Sequence, residues 1–239
     1  MIRRRTLLLG SACALTLAVA AVAAADAYVE GKVERRVSEA LACRLDTDKG
    51  VDAELEGTLA GLGALTGTVG TVRVTAGGVH HQGTDFDFVA TLRGVSTDGR
   101  IDGGSATATV AYGQLAAKSG DEGQGMELGT DGSRLTVTGG AGGLPVTVVA
   151  DLSTTANSVT ITPATVSLLG RQVPVETLSA IPGAARIAGK LEPRTVEIPD
   201  LPEGARLTGA HAGAAGLVLD FALSPGAASS RTASACGTA

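Results

Sequence analysis

The feature that most constrains the fold is a two-residue alternation of apolar and polar side chains. It is clearest in GTDFDFVATLRGV, where Phe86, Phe88, Ala90 and Leu92 alternate with mostly polar residues. Successive side chains of a β-strand point to opposite faces, so this spacing predicts a strand with one apolar face. That face either packs into a core or contacts something that the protein carries, and the local pattern is compatible with both.

The alternation recurs along most of the 239-residue chain. The 34 glycines and frequent threonines favour short strands joined by turns, and short turns favour antiparallel pairing. Two helical regions are also predicted, over residues 28–45 and 175–191. We therefore expect one α+β domain, with a long antiparallel sheet and helices on one of its faces. The predicted strands lie around residues 51–55, 72–74, 85–93, 106–112, 135–137, 146–152, 159–161, 166–168, 196–198 and 217–223.

The first helical region, YVEGKVERRVSEALACRL, has an apolar stripe that recurs every four residues and includes Val33, Val37 and Leu41. This pattern predicts a helix that packs on the sheet. An alternative is a helix that lies along a bilayer surface, with its basic residues near the headgroups.

Residues 1–25 have the organisation of an export signal: three arginines, an uncharged run and the small residues Ala23-Ala24-Ala25. The run of about 20 uncharged residues is also long enough to span a bilayer if it is not cleaved. We therefore expect residues 1–25 to be a signal peptide or an N-terminal membrane anchor. Residues 26–224 form the predicted domain, and the Ala/Ser/Gly-rich residues 225–239 a disordered tail.

Export places the domain outside the cytoplasmic membrane, secreted or anchored in the cell envelope. Cys43 and Cys236 are the two cysteines beyond the leader, and an oxidising compartment allows them to form a disulfide. Two unpaired thiols are the alternative.

Composition and motifs exclude several classes of function. The net charge is −5, and the domain beyond the arginines of the leader is acidic without a clustered basic patch, so nucleic-acid binding is not expected. No nucleophile elbow, zinc-protease motif, P-loop or Rossmann glycine pattern occurs. His80, His81 and His211 are the only histidines, and they form no recognisable metal or catalytic motif. We expect no enzymatic activity, no cofactor and no metal ion.

An ordered set of segments resembles the LmeA family of phospholipid-binding envelope proteins. The set comprises YVEGKVERRVSEAL, DFDFVATLRGV, ATATVAYGQLA, GSRLTVTGG, VTITPATVSLLGRQVP and the closing VEIPDLPEGARLTGAHAGAAGLVLDFAL, and it spans residues 26–224. One departure is LGALTG at residues 62–67, where such proteins tend to carry an aromatic segment of the type PFLTQ. If that segment forms part of a lipid mouth, the departure affects affinity or lipid choice.

The resemblance implies a tubular lipid-binding fold, in which a curved sheet wraps a long helix and leaves an apolar channel. It also implies phospholipid binding or shuttling in envelope or lipoglycan assembly, at a membrane surface or anchor. The headgroup candidates are Arg73 and Arg93. The residues expected to line the apolar groove are Val33, Val37, Leu41, Leu62, Leu65, Phe86, Phe88, Leu92 and Phe221.

Two alternatives remain at this point. A non-catalytic scaffolding domain would bind another envelope protein, and it would present an exposed apolar patch or an unpaired edge strand. A hydrolase with an unrecognised site would depend on one of the three histidines. Co-purified lipid would support the first expectation, and the hydrolase would require a loss of activity when His80, His81 or His211 is mutated.

Overall fold

The structure is a computed structural model in which antiparallel strands dominate. It describes residues 47, 49–56, 67–81, 83–96, 100–118, 125–141, 144–168, 170–178, 180, 189, 191–199 and 201–226. Of these described residues, 69% are in strands and 8% in two short helices. The elements are, in chain order, β1 (Val51–Glu56), β2 (Thr68–His81), β3 (Thr84–Ser96), β4 (Gly103–Ala111), α1 (Tyr112–Lys118), β5 (Glu127–Asp131), β6 (Arg134–Ala141), β7 (Leu144–Thr154), β8 (Ser158–Leu168), β9 (Arg171–Pro174), α2 (Val175–Leu178), β10 (Arg194–Glu197), β11 (Ala205–Ala212) and β12 (Gly216–Leu223).

The strands form two six-stranded sheets. The first sheet has the order β1-β2-β3-β4-β12-β11, and the second has the order β10-β8-β7-β6-β5, with β9 also paired to β8. Every pairing is antiparallel. The chain therefore builds four strands of the first sheet, then the whole second sheet, and returns to complete the first with β11 and β12.

A β-bulge shapes the long hairpin of β2 and β3. The register shifts between Ala76 and Val79, and Gly78 in this bulge has a φ of +60°, a conformation that favours glycine. The Gly78 N–H donates to the Asp87 carboxylate across the hairpin at 3.0 Å. Asp87 of the DFDF motif therefore satisfies a backbone donor that the ladder leaves free.

The core of the second sheet lies under α2. Val146, Val166 and Leu178 are buried there, and Val166 and Leu178 have no exposed surface. Val148, Val173, Val175 and Leu191 pack around them. The short helix thus closes one apolar face of β7, β8 and β9.

The edge strand β11 joins the two sheets, because turns of the second sheet satisfy its outer backbone groups. Leu207 N–H donates to the Ala156 carbonyl at 2.8 Å, and Ala212 N–H donates to the Ser133 carbonyl at 2.9 Å. Leu207 is 4% exposed and Ala212 fully buried. An edge of the first sheet is therefore covered by the turns of the second.

The predicted fold class, an α+β domain with one long curved sheet around an N-terminal amphipathic helix, is wrong. The described residues are sheet-dominated, with two short helices. The physical reason is that segments with weak alternation also pair: residues 127–131, which look like part of a polar loop, form β5 against β6. The predicted helix over 28–45 lies outside the described residues.

The second predicted helical region, 175–191, is helical only over Val175–Leu178 in its described part. Two further details differ from the prediction: the strand predicted around residues 72–74 extends over Thr68–His81, and the chain turns into α1 at Tyr112, where the strand predicted around residues 106–112 ends. Among helices of the described segments, none has the length and hydrophobicity needed to cross a membrane.

Candidate functional site

One face of the first sheet is apolar from edge to edge, and we call it the apolar face. The cross-strand register places aliphatic, aromatic or small residues on it in all six strands. All three phenylalanines of the chain lie on this face. The predicted strand of Phe86, Phe88 and Leu92 is thereby confirmed. The members are Val51, Ala53, Leu55, Val72, Val74, Ala76, Val79, Phe86, Phe88, Ala90, Leu92, Gly104, Ala106, Ala108, Val110, Ala205, Leu207, Ala210, Ala212, Leu217, Leu219, Phe221 and Leu223.

Large and small side chains alternate across the apolar face. Phe88 lies between Ala76 on β2 and Ala108 on β4, and Phe221 on β12 is paired with Ala106. The other cross-strand neighbour of Phe221 is Leu207. The register therefore places Phe88 between two small residues and Phe221 between a small residue and a large one.

The burial pattern agrees with this description. The central alanines Ala76, Ala90 and Ala106 are 4% exposed or less. Phe88 and Phe221 pack against the same cluster yet keep part of their surface accessible. The small residues are thus buried together with larger ones such as Val72 and Val74, and the aromatic rings of Phe88 and Phe221 keep part of their surface accessible.

The other predicted groove residues and both cysteines lie outside the described residues. They are Val33, Val37, Leu41, Leu62, Leu65, Cys43 and Cys236. Their roles, and the disulfide, remain predictions.

Arg73 and Arg93 lie on the opposite, polar face of the first sheet. Arg73 alternates with the buried Val72 and Val74, and its guanidinium is 3.9 Å from the Glu56 carboxylate, with both side chains 48% exposed. Arg93 follows Leu92 on β3 and is exposed. Neither arginine faces the phenylalanines, and their predicted headgroup role is untested.

Two histidines are each paired with an aspartate. His80 Nδ1 hydrogen-bonds Asp85, whose other carboxylate oxygen accepts from Gln114 at 2.9 Å. His211 Nδ1 lies 3.5 Å from Asp220, on the polar face of the first sheet. These pairs link β2 to β3 and α1, and β11 to β12. In the part of the chain that the structure describes, no three His, Cys, Asp or Glu side chains cluster as metal ligands.

A cleft that the sequence did not predict opens at one end of the first sheet. It has a volume of about 550 Å³ and is lined by Gly94, Ser96 and residues 100–102, with Pro225 and Gly226 on its other side. Arg100 and Asp102 are both exposed there. The only sequence signal is a charged residue on each side of Ile101, next to a turn motif, and that signal is common in ordinary solvated turns.

Comparison with known proteins adds a family assignment. The model of the LmeA-like phospholipid-binding family matches residues 24–222. No curated protein and no solved structure gives a significant match. The family match extends over most of the chain and includes both sheets, so it concerns the whole fold and not a short motif. The chain therefore belongs to the LmeA-like phospholipid-binding family.

Proposed function

We propose that this protein holds the acyl chains of a phospholipid against the apolar face of the first sheet. The family is a phospholipid-binding one, which supports a lipid partner. The single observation that carries the acyl-chain assignment is the face itself: all three phenylalanines lie on it and keep accessible surface, and Phe88 and Phe221 do so beside buried alanines.

The energetics favour such a site. Burial of a methylene group is worth about 0.8 kcal/mol, so a chain that lays ten methylenes on the face would gain roughly 8 kcal/mol before the entropy of ordering is subtracted. The apolar face has no charged side chain in the described strands, so acyl chains that displace water there do not desolvate a charged group.

We further propose that the protein is exported, works in the cell envelope and carries lipid without a catalytic step. The arginine-containing leader of residues 1–25 supports export. N-terminal sequencing of the protein recovered from outside the cytoplasmic membrane tests it. Cytoplasmic protein that retains residues 1–25 would contradict export.

The chain lacks tryptophan, so a single introduced tryptophan is a clean reporter of acyl-chain contact. Phe88→Trp places the indole on the apolar face. Val89→Trp places it on the opposite face of the same strand, where Val89 pairs with Thr75 and Thr107. Phospholipid brominated on its acyl chains should quench the fluorescence of Phe88→Trp and leave Val89→Trp largely unquenched.

Two outcomes of this experiment would contradict the proposal. Equal quenching of both variants would show that lipid contacts the sheet without preference for the apolar face. Absence of quenching in both, with native mass spectra free of lipid adducts, would favour the scaffolding function instead.

A further inference from the structure

We propose that the cleft at the end of the first sheet, lined by Gly94, Ser96, Arg100, Asp102 and Pro225, is the headgroup subsite for the bound phospholipid. This inference rests on the proposed function, since it assigns the polar half of a ligand whose acyl chains lie on the apolar face. The ligand class is a phosphodiester headgroup that also carries hydrogen-bond donors, either hydroxyls or an ammonium group.

The position of the cleft is the first argument. Leu92, Val95 and Leu223 pack against the hydrophobic cluster at this end of the apolar face. Gly94 and Ser96 are chain neighbours of Val95, and Pro225 lies two residues beyond Leu223. The cleft therefore begins where the apolar face ends, along adjacent strands. A lipid whose chains lie on the face has its glycerol backbone delivered to this opening.

The chemistry of the cleft is the second argument. The Arg100 guanidinium is a planar donor group, which matches the oxygens of a phosphodiester. The Asp102 carboxylate accepts hydrogen bonds, and therefore suits hydroxyls or an ammonium group. The cleft thus presents both a cation and an anion, which complement a headgroup with an anionic and a donor part.

The framework of the cleft is the third argument, because its backbone is held by hydrogen bonds. Ser96 N–H donates to the Arg100 carbonyl at 2.9 Å, and Asp102 N–H donates to the Arg93 carbonyl at 2.9 Å. Gly226 N–H donates to the carbonyl of Ile101 at 3.0 Å, and Ile101 is 4% exposed. The two charged side chains thus project from an anchored segment, which reduces the entropy lost on binding.

The test measures lipid affinity in the Phe88→Trp reporter with four brominated probes: phosphatidylglycerol, phosphatidylethanolamine, phosphatidic acid and diacylglycerol. Arg100→Gln should raise the Kd for the three phospholipids about tenfold, because a charge-assisted contact to phosphate is lost. Diacylglycerol carries the same chains without phosphate, so its Kd should not change. Arg206→Gln is the matched control, since Arg206 lies near the same end of the sheet on the polar face.

Asp102→Asn separates the two donor chemistries. An increase in Kd confined to phosphatidylglycerol would identify recognition of hydroxyls, and an increase confined to phosphatidylethanolamine would identify recognition of the ammonium group. Phosphatidic acid has neither of these donors and serves as the reference. Asp102→Asn without effect on either probe would overturn the role of Asp102.

Failure of this inference is distinguishable from failure of the proposed function. The headgroup subsite is overturned if Arg100→Gln binds phospholipid no more weakly than Arg206→Gln does, or if Arg93→Gln shows the increase in Kd instead. In either case, quenching by diacylglycerol would still support the acyl-chain site. If the reporter with Arg100 intact is quenched by none of the four probes, the proposed function itself is overturned.

Discussion

At the scale of single residues, Gly94 connects backbone geometry to the cleft. Its φ is +60°, and a Cβ built at this position would lie 2.0 Å from Asp102 Oδ2 and 2.4 Å from Asp102 Cγ. The carboxylate therefore occupies the volume that any other side chain would need. Glycine is required here for two separate reasons, the left-handed conformation and the close approach of Asp102.

Gly94→Ala should lower the free energy of unfolding by about 2 kcal/mol, since alanine is strained at this φ and its methyl group collides with Asp102. Gly113→Ala is the matched control: Gly113 lies in α1 with nothing near a built Cβ, so alanine should be neutral or slightly stabilising there. Urea denaturation of both variants measures the difference.

The double variant Gly94→Ala/Asp102→Ala separates the two causes. It should recover the part of the lost unfolding free energy that comes from the collision with Asp102. The part that comes from alanine in the left-handed conformation should remain. Strict additivity of the two single changes would contradict the contact between these residues.

At the scale of elements, α1 ties the two sheets together at β5 and β11. The Tyr112 hydroxyl donates to the Gly213 carbonyl at 2.7 Å, and the Thr130 hydroxyl donates to the Ala212 carbonyl at 2.9 Å. These bonds lie beside the backbone bond from Ala212 to Ser133. The junction of the sheets is therefore a short polar seam in which each carbonyl has a donor.

Tyr112→Phe should cost about 1 kcal/mol at neutral pH, because the Gly213 carbonyl loses its donor. Burial raises the pKa of Tyr112, and the hydrogen bond with Thr130 partly opposes that rise. A raised folded-state pKa means that the hydroxyl's contribution is complete below the unfolded pKa of about 10 and is lost as the pH rises through the folded pKa. Unfolding free energies of both proteins between pH 8 and 11 should therefore converge at the alkaline end. A constant difference across this range would contradict a half-buried phenol that stays protonated in the folded protein.

At the scale of the whole molecule, the two sheets differ in how their apolar faces are closed. The second sheet carries α2 on its core, where Leu178 is fully buried. The first sheet keeps its three aromatic rings partly accessible on its apolar face. This difference supports the proposal that acyl chains bind to the first sheet.

Lipid binding should stabilise the folded protein by mass action. Phospholipid at 100 times its Kd adds about 2.7 kcal/mol to the free energy of unfolding. For a protein of this size, this corresponds to a rise in the thermal midpoint of roughly 5–10 °C. Phe88→Asp should abolish the rise, since a carboxylate on the apolar face opposes acyl chains, whereas Thr91→Asp on the polar face should retain it. Differential scanning calorimetry measures both. An equal rise in the two variants would contradict binding on the apolar face.

Much of the first sheet is predictable from local pattern, and the particular successes share one cause. The segments around Val72, Phe88, Val110 and Leu219 alternate clearly and form strands with the expected apolar side. The failures share a cause as well. The strands Glu127–Asp131 and Ala205–Ala212 lack strong alternation. An edge strand that is covered by turns, or exposed on both faces, does not have one buried and one solvated face, so its sequence need not alternate.

The sequence by itself determined which side of each strand is apolar, because side-chain direction in a strand depends only on parity along the chain. It also determined the family, through segments distributed over nearly the whole chain. Only the tertiary structure decided which strands are neighbours: Phe221 lies beside Ala106, and the Thr107 hydroxyl donates to Asp220 at 3.1 Å across a separation of 113 residues. Parity also places Arg73 and Arg93 on the face opposite the aromatic rings, whereas only the tertiary structure brought Arg100 and Asp102 to the end of the apolar face. Pairing over such distances depends on the packing and backbone hydrogen bonds of the whole sheet, which no local pattern encodes.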